Sequence, residues 1–325
     1  MSMPDTGRLD VATFGEAMLR LSVPIGERLG TAPAFGVHVG GSESNVAVAL
    51  ARLGHRVGWS SRLPDSALGR RVAETIRAAG VDVTGIRWVE NSRLGTFFVE
   101  LRGWPSVPHV IYDRVGSACC GLTADDLDWS VLTAARLVHL TGITPALSPS
   151  CRATALEAAE RVRSSGAMLS VDVNYRAKLW RPDDAAATVR LLMRGADLVL
   201  CSSEDAKELF GFEGPTREVA CRLAEFAECQ RVVITTGASG AAWCDAGDTG
   251  SADGMLAALI VDRIGAGDAF AAGVIDGLLR GELADGVRMG IAMATITLGA
   301  HGDLYPGTRD EANHLVDGVA RRVDR

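Results

Sequence analysis

Short apolar runs alternate with amphipathic stretches along most of the chain, and glycines punctuate them. Residues 11–14 (Val-Ala-Thr-Phe) form an apolar run that stops at Gly15-Glu16, the pattern of a short buried strand. Residues 19–23 alternate apolar and polar, which predicts a half-exposed strand. Over 45–53 the apolar positions Val46, Val48, Ala49, Leu50 and Leu53 recur at helical spacing until Gly54. Residues 56–60 then read as a strand, and 68–79 as a helix closed by Gly80. This alternation predicts an α/β architecture with a largely parallel sheet.

The rhythm breaks between 91 and 117. Two β-type runs, 96–101 and 109–115, flank Arg102-Gly103-Trp104-Pro105-Ser106. They predict an antiparallel hairpin outside the main sheet, joined by 19–23 into a small flap. A flap inserted in an α/β enzyme usually acts as a lid. From 137 onward the rhythm resumes, with strands over 137–140, 168–173, 198–201, 231–235 and 241–245. Helices are expected over 150–164, 184–194, 205–210, 219–227, 266–279 and 287–298. One domain over 1–325, with lid segments at approximately 15–37 and 91–118, fits this pattern better than two equal halves.

Composition narrows the class rather than the function. The chain has 325 residues, 47% of them hydrophobic and 22% charged, as expected of a large soluble core. Its net charge of -7 and its lack of a long basic run argue against nucleic acid as the main partner. Local arginines can still bind an anionic substrate. None of the seven cysteines forms a C-x-x-C pair, so no zinc site is signalled, and their scatter suits reduced, cytosolic thiols. The N-terminus has no signal-peptide core, and the longest apolar run, near 291–300, is too short for a bilayer. A cytoplasmic protein is expected.

Two motifs carry chemistry. In Asp262-Arg263-Ile264-Gly265-Ala266-Gly267-Asp268, glycines open a loop that runs into an Ala-rich helix. Free N–H groups at a helix start suit a phosphate or a developing anion. Asp268 sits where it can accept a proton from an attacking hydroxyl, although a plain Asp-capped helix has the same local pattern. Far upstream, Gly40-Gly41-Ser42-Glu43-Ser44-Asn45 leads into the helix at 45–53. Paired glycines allow close backbone approach, and Asn45 can both donate to and accept from hydroxyls; a tight strand-to-helix turn is the plainer reading.

Together the two motifs resemble those of the ribokinase-like, PfkB-type carbohydrate kinases. Gly40-Gly41-x-x-x-Asn45 is similar to that family's N-terminal signature, and Gly265-Ala266-Gly267-Asp268 to the C-terminal one that carries the anion hole and catalytic base. The resemblance covers nearly the whole chain. It implies a doubly wound, mostly parallel sheet flanked by helices, a β-sheet lid over the sugar, and ATP with Mg²⁺ as phosphoryl donor. It also implies a homo-oligomer, with lid strands pairing across a dimer.

Three further segments are similar to those of the 2-keto-3-deoxygluconate kinases: Tyr112 to Ala118, Leu140 to Ser148, and Asp172 to Trp180. A sugar acid needs a cation for its carboxylate, and arginine presents a planar fork for that purpose. Arg114 and Arg176 are the candidates, with Tyr112 covering the substrate, Asn174 beside it, and Phe97 or Phe98 on the inner face of the lid. Arg114 as a solvated strand residue, or Arg176 on the ATP phosphates, are the alternatives. On the nucleotide side, Ser202 and Asp205 stand where the family often has N-x-x-E, placing Asp205 near Mg²⁺ through water. Thr235, Gly237 and Gly240 lie in a segment that resembles the phosphate loop, without its frequent Lys. Residues 300–303 (Ala-His-Gly-Asp) border the adenine or a monovalent-cation loop, His301 reading by itself as structural. A kinase of a neutral sugar or nucleoside, and a non-catalytic sugar-binding protein, are the competing functions.

Overall fold

The computed structural model describes residues 8–101 and 109–318. Its elements in chain order are β1 (Val11–Phe14), β2 (Met18–Val23), β3 (Gly36–Gly40), α1 (Ser42–Arg52), β4 (Val57–Pro64), α2 (Ala67–Ala78), β5 (Ile86–Val89), β6 (Thr96–Glu100) and β7 (His109–Asp113). Next come α3 (Trp129–Ala134), β8 (Leu137–Thr141), α4 (Pro149–Ser165), β9 (Met168–Asp172), α5 (Pro182–Met193), β10 (Leu198–Ser202), α6 (Ser203–Phe210) and α7 (Thr216–Ala227). The last are β11 (Arg231–Thr235), β12 (Gly240–Asp245), β13 (Asp248–Asp253), α8 (Ala266–Arg280), α9 (Leu283–Leu298) and α10 (Arg309–Val316).

Nine strands form the main sheet in the order β13-β12-β11-β10-β9-β8-β1-β4-β5. All neighbours run parallel except β11/β12 and β12/β13, which are antiparallel. The chain winds outward from β1 to β4 and β5, then from β8 away to the other side. This is the doubly wound arrangement, with its switch point between β1 and β8. Central strands such as Val11–Phe14 and Leu137–Thr141 are buried along their whole length because helices cover both faces. One core packs α1, α2, α8, α9 and α10 on one face, and a second packs α3 to α7 on the other.

The small sheet has the order β3-β2-β6-β7. The predicted β6/β7 hairpin is antiparallel, pairing Thr96 with Asp113, while β2 and β6 run parallel. The expected connector at 102–106 lies outside the described residues. Met18, Phe97, Val99 and Leu101 make a third, minor core, against which Val110 and Ile264 pack.

The expectation of a half-exposed strand over 19–23 is corrected. In β2 the polar residues Arg20 and Ser22 are as buried as their apolar neighbours. They are tolerated inside because Arg20 donates to Ser22, Asp262 and Asp303. Strands β3, β5 and β13 and helices α3 and α10 are additions to the predicted elements. Strand β13 (Asp-Thr-Gly-Ser-Ala-Asp) carries almost no apolar signal and is an edge strand held by its ladder with β12. All seven cysteines are free thiols. Among the described residues no helix is long and apolar enough to cross a membrane.

Candidate active site

The carboxyl ends of β1, β8, β9, β10 and β11 converge with the starts of α1 and α8 under the small sheet. They enclose a cavity of about 460 Å³. Open α/β sheets place their ligands at this end and near this switch point. Gly40, Gly41 and Asn45 line the cavity, as do Gly265, Gly267 and Asp268. So do Tyr112, Arg114, Asn174 and Arg176, and on a third side Ser202, Asp205 and Thr235. Residues up to 287 positions apart in sequence thus share one cavity, from Glu16 to Asp303.

Helix α1 starts at Ser42, three residues before the expected helix start at Asn45, because Gly41 is extended and its carbonyl accepts from the Asn45 N–H at 2.7 Å. Asn45 and Ser42 therefore sit in the first turn, pointing their polar groups at Asp268. The Ser42 hydroxyl donates to Asp268 Oδ1 at 2.6 Å, and Asn45 Nδ2 donates to Oδ2 at 2.7 Å. Asn174 Nδ2 in turn donates to the Ser42 hydroxyl at 2.8 Å. Asp268 is only 9% exposed. Burial pushes its carboxyl above the ordinary range, opposed by the bonds from Ser42 and Asn45 and by the charge of Arg176. Two neutral donors fix its orientation, and a carboxylate has roughly four lone-pair sites, so acceptor capacity remains.

Asp268 lies in the first turn of α8, whose N-cap Gly265 adopts φ +87° and offers no side-chain cap. A Cβ at Gly265 would lie 2.0 Å from the Asp303 carbonyl oxygen, so both the turn and the packing require glycine. The first amides of α8 are the anion-attracting end of the helix. Ala266 is the first residue of α8 but does not line the cavity. In the upstream motif the close approach is made by protein rather than by ligand alone. A Cβ at Gly40 would meet Asp303 Oδ2 at 2.1 Å, and one at Gly41 would meet the Glu16 carbonyl at 2.1 Å.

At the lid end, Tyr112 stacks on Phe97 with ring centroids 5.7 Å apart, and the Arg114 guanidinium lies 5.5 Å from the Tyr112 ring centroid. Phe97 is the buried one of the two lid phenylalanines and lines the cavity. Arg114 is itself buried and paired: Nε donates to Glu16 Oε2 at 2.7 Å and Nη2 approaches the same oxygen at 2.5 Å. Ser117 also donates to Glu16. Arg114 is therefore no solvated strand residue, and one edge of its guanidinium is already occupied. Arg176 is exposed, and its charge reaches Asp172, Asp205 and Asp268.

On the third side of the cavity the Ser202 hydroxyl caps α6 by accepting from the Asp205 N–H at 2.9 Å. Asp205 Oδ2 accepts from the Tyr175 N–H at 3.2 Å, and burial raises its carboxyl. Asp172 is pushed up to about 8 by burial and by the nearby Asp268 and Asp205. Gly237 and Gly240 do not line the cavity. A Cβ at Gly240 would lie 2.1 Å from the Ala252 carbonyl, so its glycine serves the closure of β13 onto β12.

Among the described residues no three His, Cys, Asp or Glu side chains gather to hold a metal ion. That donor set still fits magnesium, which keeps several waters and is commonly held by one or two carboxylates plus substrate phosphates. Asp205 is a half-buried carboxylate on the cavity wall. A monovalent ion at 300–303 fits less well, because Asp262 and Asp303 already hold the Arg20 guanidinium.

Sequence reading named no role in the cavity for Ser42 or Glu16, and placed Ile143 and Asp303 only within the segments 140–148 and 300–303. Ser42 lay inside a recognised motif, so it was findable. Asp303 lines the cavity directly and is bonded to Arg20, 283 positions away, a pairing no local pattern announces.

A family model described as "pfkB family carbohydrate kinase" matches residues 8–309. A 2-dehydro-3-deoxygalactonokinase of Haloferax volcanii is 36% identical over 317 residues, 97% of this chain and 99% of that one. A 2-dehydro-3-deoxygluconokinase of Bacillus subtilis is 32% identical over 300 residues, 91% of this chain and 92% of that one. The crystal structure of the Thermotoga maritima 2-dehydro-3-deoxygluconokinase superposes with a TM-score of 0.85 at 29% identity, covering 96% of this chain and all of that one (100%).

Proposed function

The chain belongs to the pfkB family of carbohydrate kinases and is a phosphotransferase with an alcohol acceptor; from that premise we propose that it phosphorylates a 2-keto-3-deoxy sugar acid, with 2-keto-3-deoxygluconate as the reference substrate. The observation that carries the acid over a neutral sugar is the convergence of Arg114 and Arg176 on the cavity that also holds Asp268. Glu16 occupies one edge of the Arg114 guanidinium, and Arg176 is exposed at the cavity, so both can still meet a carboxylate. The names of the Haloferax and Bacillus relatives support the same class.

The roles follow from position. Arg176 and the edge of Arg114 that Glu16 does not occupy bind the carboxylate, and Tyr112 stacked on Phe97 covers the sugar. Gly40, Gly41, Asn45 and Asn174 meet its hydroxyls. Asp268, oriented by Ser42 and Asn45, accepts the proton of the attacking hydroxyl as its oxygen bonds to the γ-phosphorus of ATP and ADP leaves. The N–H groups of Gly265, Ala266 and Gly267 at the start of α8 stabilise the charge spread over the transferring phosphoryl. Ser202, Asp205 and Thr235 line the nucleotide side of the cavity, with Gly237 and Gly240 in the turn beyond it. Magnesium, held by the ATP phosphates and through water by Asp205, supplies neutralising charge when bound. The small sheet acts as the lid that excludes water and limits ATP hydrolysis. Its edge strands β3 and β7, with Phe35 and Ile111 exposed beside or on them, are the surface for a dimer.

The test is coupled ADP release with Mg-ATP and, in parallel, 2-keto-3-deoxygluconate, its galactonate epimer, fructose, ribose and adenosine. Preference for either keto-deoxy acid upholds the proposal and decides the epimer. Preference for a neutral acceptor keeps the fold and the base but removes the carboxylate clamp. Silence on all five, with nucleotide bound, would favour a binding protein.

A further inference from the structure

Arg20 lies on β2, in the small sheet, yet it is 1% exposed. Its guanidinium is satisfied on three corners. Nε donates to the Ser22 hydroxyl at 2.7 Å, Nη1 to Asp303 Oδ1 at 2.6 Å, and Nη2 to Asp262 Oδ2. Both acids are nearly as buried as the arginine.

Each of those acids belongs to a segment that shapes the start of α8. Asp262 Oδ1 accepts from the Ile264 N–H at 3.1 Å, and Oδ2 from the Gly302 N–H at 3.4 Å. Asp262 thereby pins the loop just before Gly265 to the loop at 300–303. Asp303 is wedged between the two glycine motifs: its carbonyl faces Gly265 and its carboxylate faces Gly40. One guanidinium on the lid side thus fixes both acids, and through them the backbone from which the anion-binding amides project.

The resemblance noted from the sequence implies a monovalent cation near 300–303. Arg20 engages one carboxylate oxygen of each acid there, Asp262 Oδ2 and Asp303 Oδ1. The space beyond is unfavourable for a metal cation as well. A smaller cavity of about 190 Å³ behind Asp303 is lined by His38, Arg71 and His301. Burial lowers the proton affinity of His38, and the charges of Arg20 and His301 lower it further. Two buried carboxylates without a counter-charge would carry a desolvation penalty of roughly several kcal/mol each, so a cation is what favours their ionised forms against the burial that pushes Asp303 up to about 7. The chain provides it covalently.

We infer that the Arg20 guanidinium is the resident cation of this loop pair, so that phosphoryl transfer here needs no monovalent metal ion. Arg20 touches no reacting atom and acts as a positioning residue for the Gly265–Gly267 amides. The inference rests on the kinase reading above, since the amides matter only if a phosphoryl group meets them.

The decisive comparison uses the full-length protein, Mg-ATP and the preferred acceptor at constant ionic strength. Potassium chloride, sodium chloride and tetramethylammonium chloride are exchanged, and kcat and melting temperature are read in each. Wild type is expected to keep kcat within about twofold across the salts, with no potassium-specific rise in melting temperature. Arg20→Met is expected to lower kcat by at least ~10-fold, with a smaller change in the KM of the acceptor, and to regain part of the loss in potassium or guanidinium chloride. Arg20→Lys, which keeps the charge but not the fork, should fall between the two.

A wild-type loss of ~10-fold or more in tetramethylammonium, or a potassium-specific stabilisation of wild type, overturns the inference. If the Arg20 variants do not fold, the wild-type salt series decides by itself. If wild type releases no ADP with any acceptor, the kinase reading has failed, and the melting series still tests the resident cation.

Discussion

Helix α8 carries two buried aspartates, Asp268 in its first turn and Asp276 two turns later, and their carboxyl groups are shifted in opposite directions. Asp268 is held by neutral donors, the Ser42 hydroxyl and the Asn45 amide, and burial pushes its proton affinity up. Asp276 is bonded to His55 and to two nitrogens of Arg309, with Arg280 nearby. Those partners outweigh its burial and draw its carboxyl down to about 2. A carboxylate saturated by cations is fixed in charge and serves to tie α8 to α10 and the α1–β4 turn. A carboxylate oriented by neutral groups, and facing a cavity, is left able to exchange a proton. The same residue type on one helix thus does structural work at one end and is suited to chemistry at the other. The Arg20–Asp262–Asp303 cluster lies between the two: a guanidinium bonds both acids, yet burial, with Asp262 and Asp268 nearby, still pushes Asp303 up to about 7.

Substitutions separate the two ends. The largest effect is expected at Asp268, where asparagine should cut kcat by at least ~10²-fold, the scale of a lost general base, while the melting temperature holds or rises. Asp276→Asn should do the reverse, leaving kcat within about twofold but costing about 3 kcal/mol of stability, because Arg309, Arg280 and His55 lose a buried partner. Chemical denaturation of both variants reads this directly. The pH dependence sharpens it. The folded Asp276 titrates near 2 against an ordinary 3.8, so its contribution is present above about pH 4 and lost as pH falls towards 2. Over that window wild type should lose about 2 kcal/mol that Asp276→Asn does not.

The lid end tests the substrate side of the same cavity. Arg114→Ala should lower kcat/KM for sugar acids by ~10-fold more than for neutral acceptors. Equal losses for the two classes would remove Arg114 from the carboxylate site and leave it as the partner of Glu16. The linkage runs in the opposite direction at Asp172. Its carboxyl is raised from 3.8 to about 8, so the folded chain holds a proton that the unfolded chain gives up in between. Stability from this group is therefore full below about pH 4 and lost as pH rises to about 8. Asp172→Asn should accordingly gain at least ~1 kcal/mol relative to wild type at pH 8 compared with pH 4, read as denaturation midpoints at the two pH values.

Much of this was legible in the sequence. The doubly wound rhythm shows because each central strand is a short, mostly apolar run and most helices end at glycine. Asp268, Asn45 and their glycines were legible because each motif is local. What hid was what depends on partners distant in sequence. Arg20 and Ser22 look like the wet face of a strand until Asp262 and Asp303 arrive from the other end of the chain. Glu16 looks like a loop carboxylate until Arg114 closes on it. The edge strand β13 has no pattern of its own, and the role of Gly240 is visible only once β13 lies across it.

The central claim is that Asp268 takes the proton from the acceptor hydroxyl. The most direct test is a crossed measurement of kcat and melting temperature on Asp268→Asn and Asp276→Asn, at saturating Mg-ATP and sugar acid. The account predicts that turnover collapses in the first with its fold intact, and persists in the second with its stability reduced. Turnover near that of wild type in a well-folded Asp268→Asn protein would contradict it.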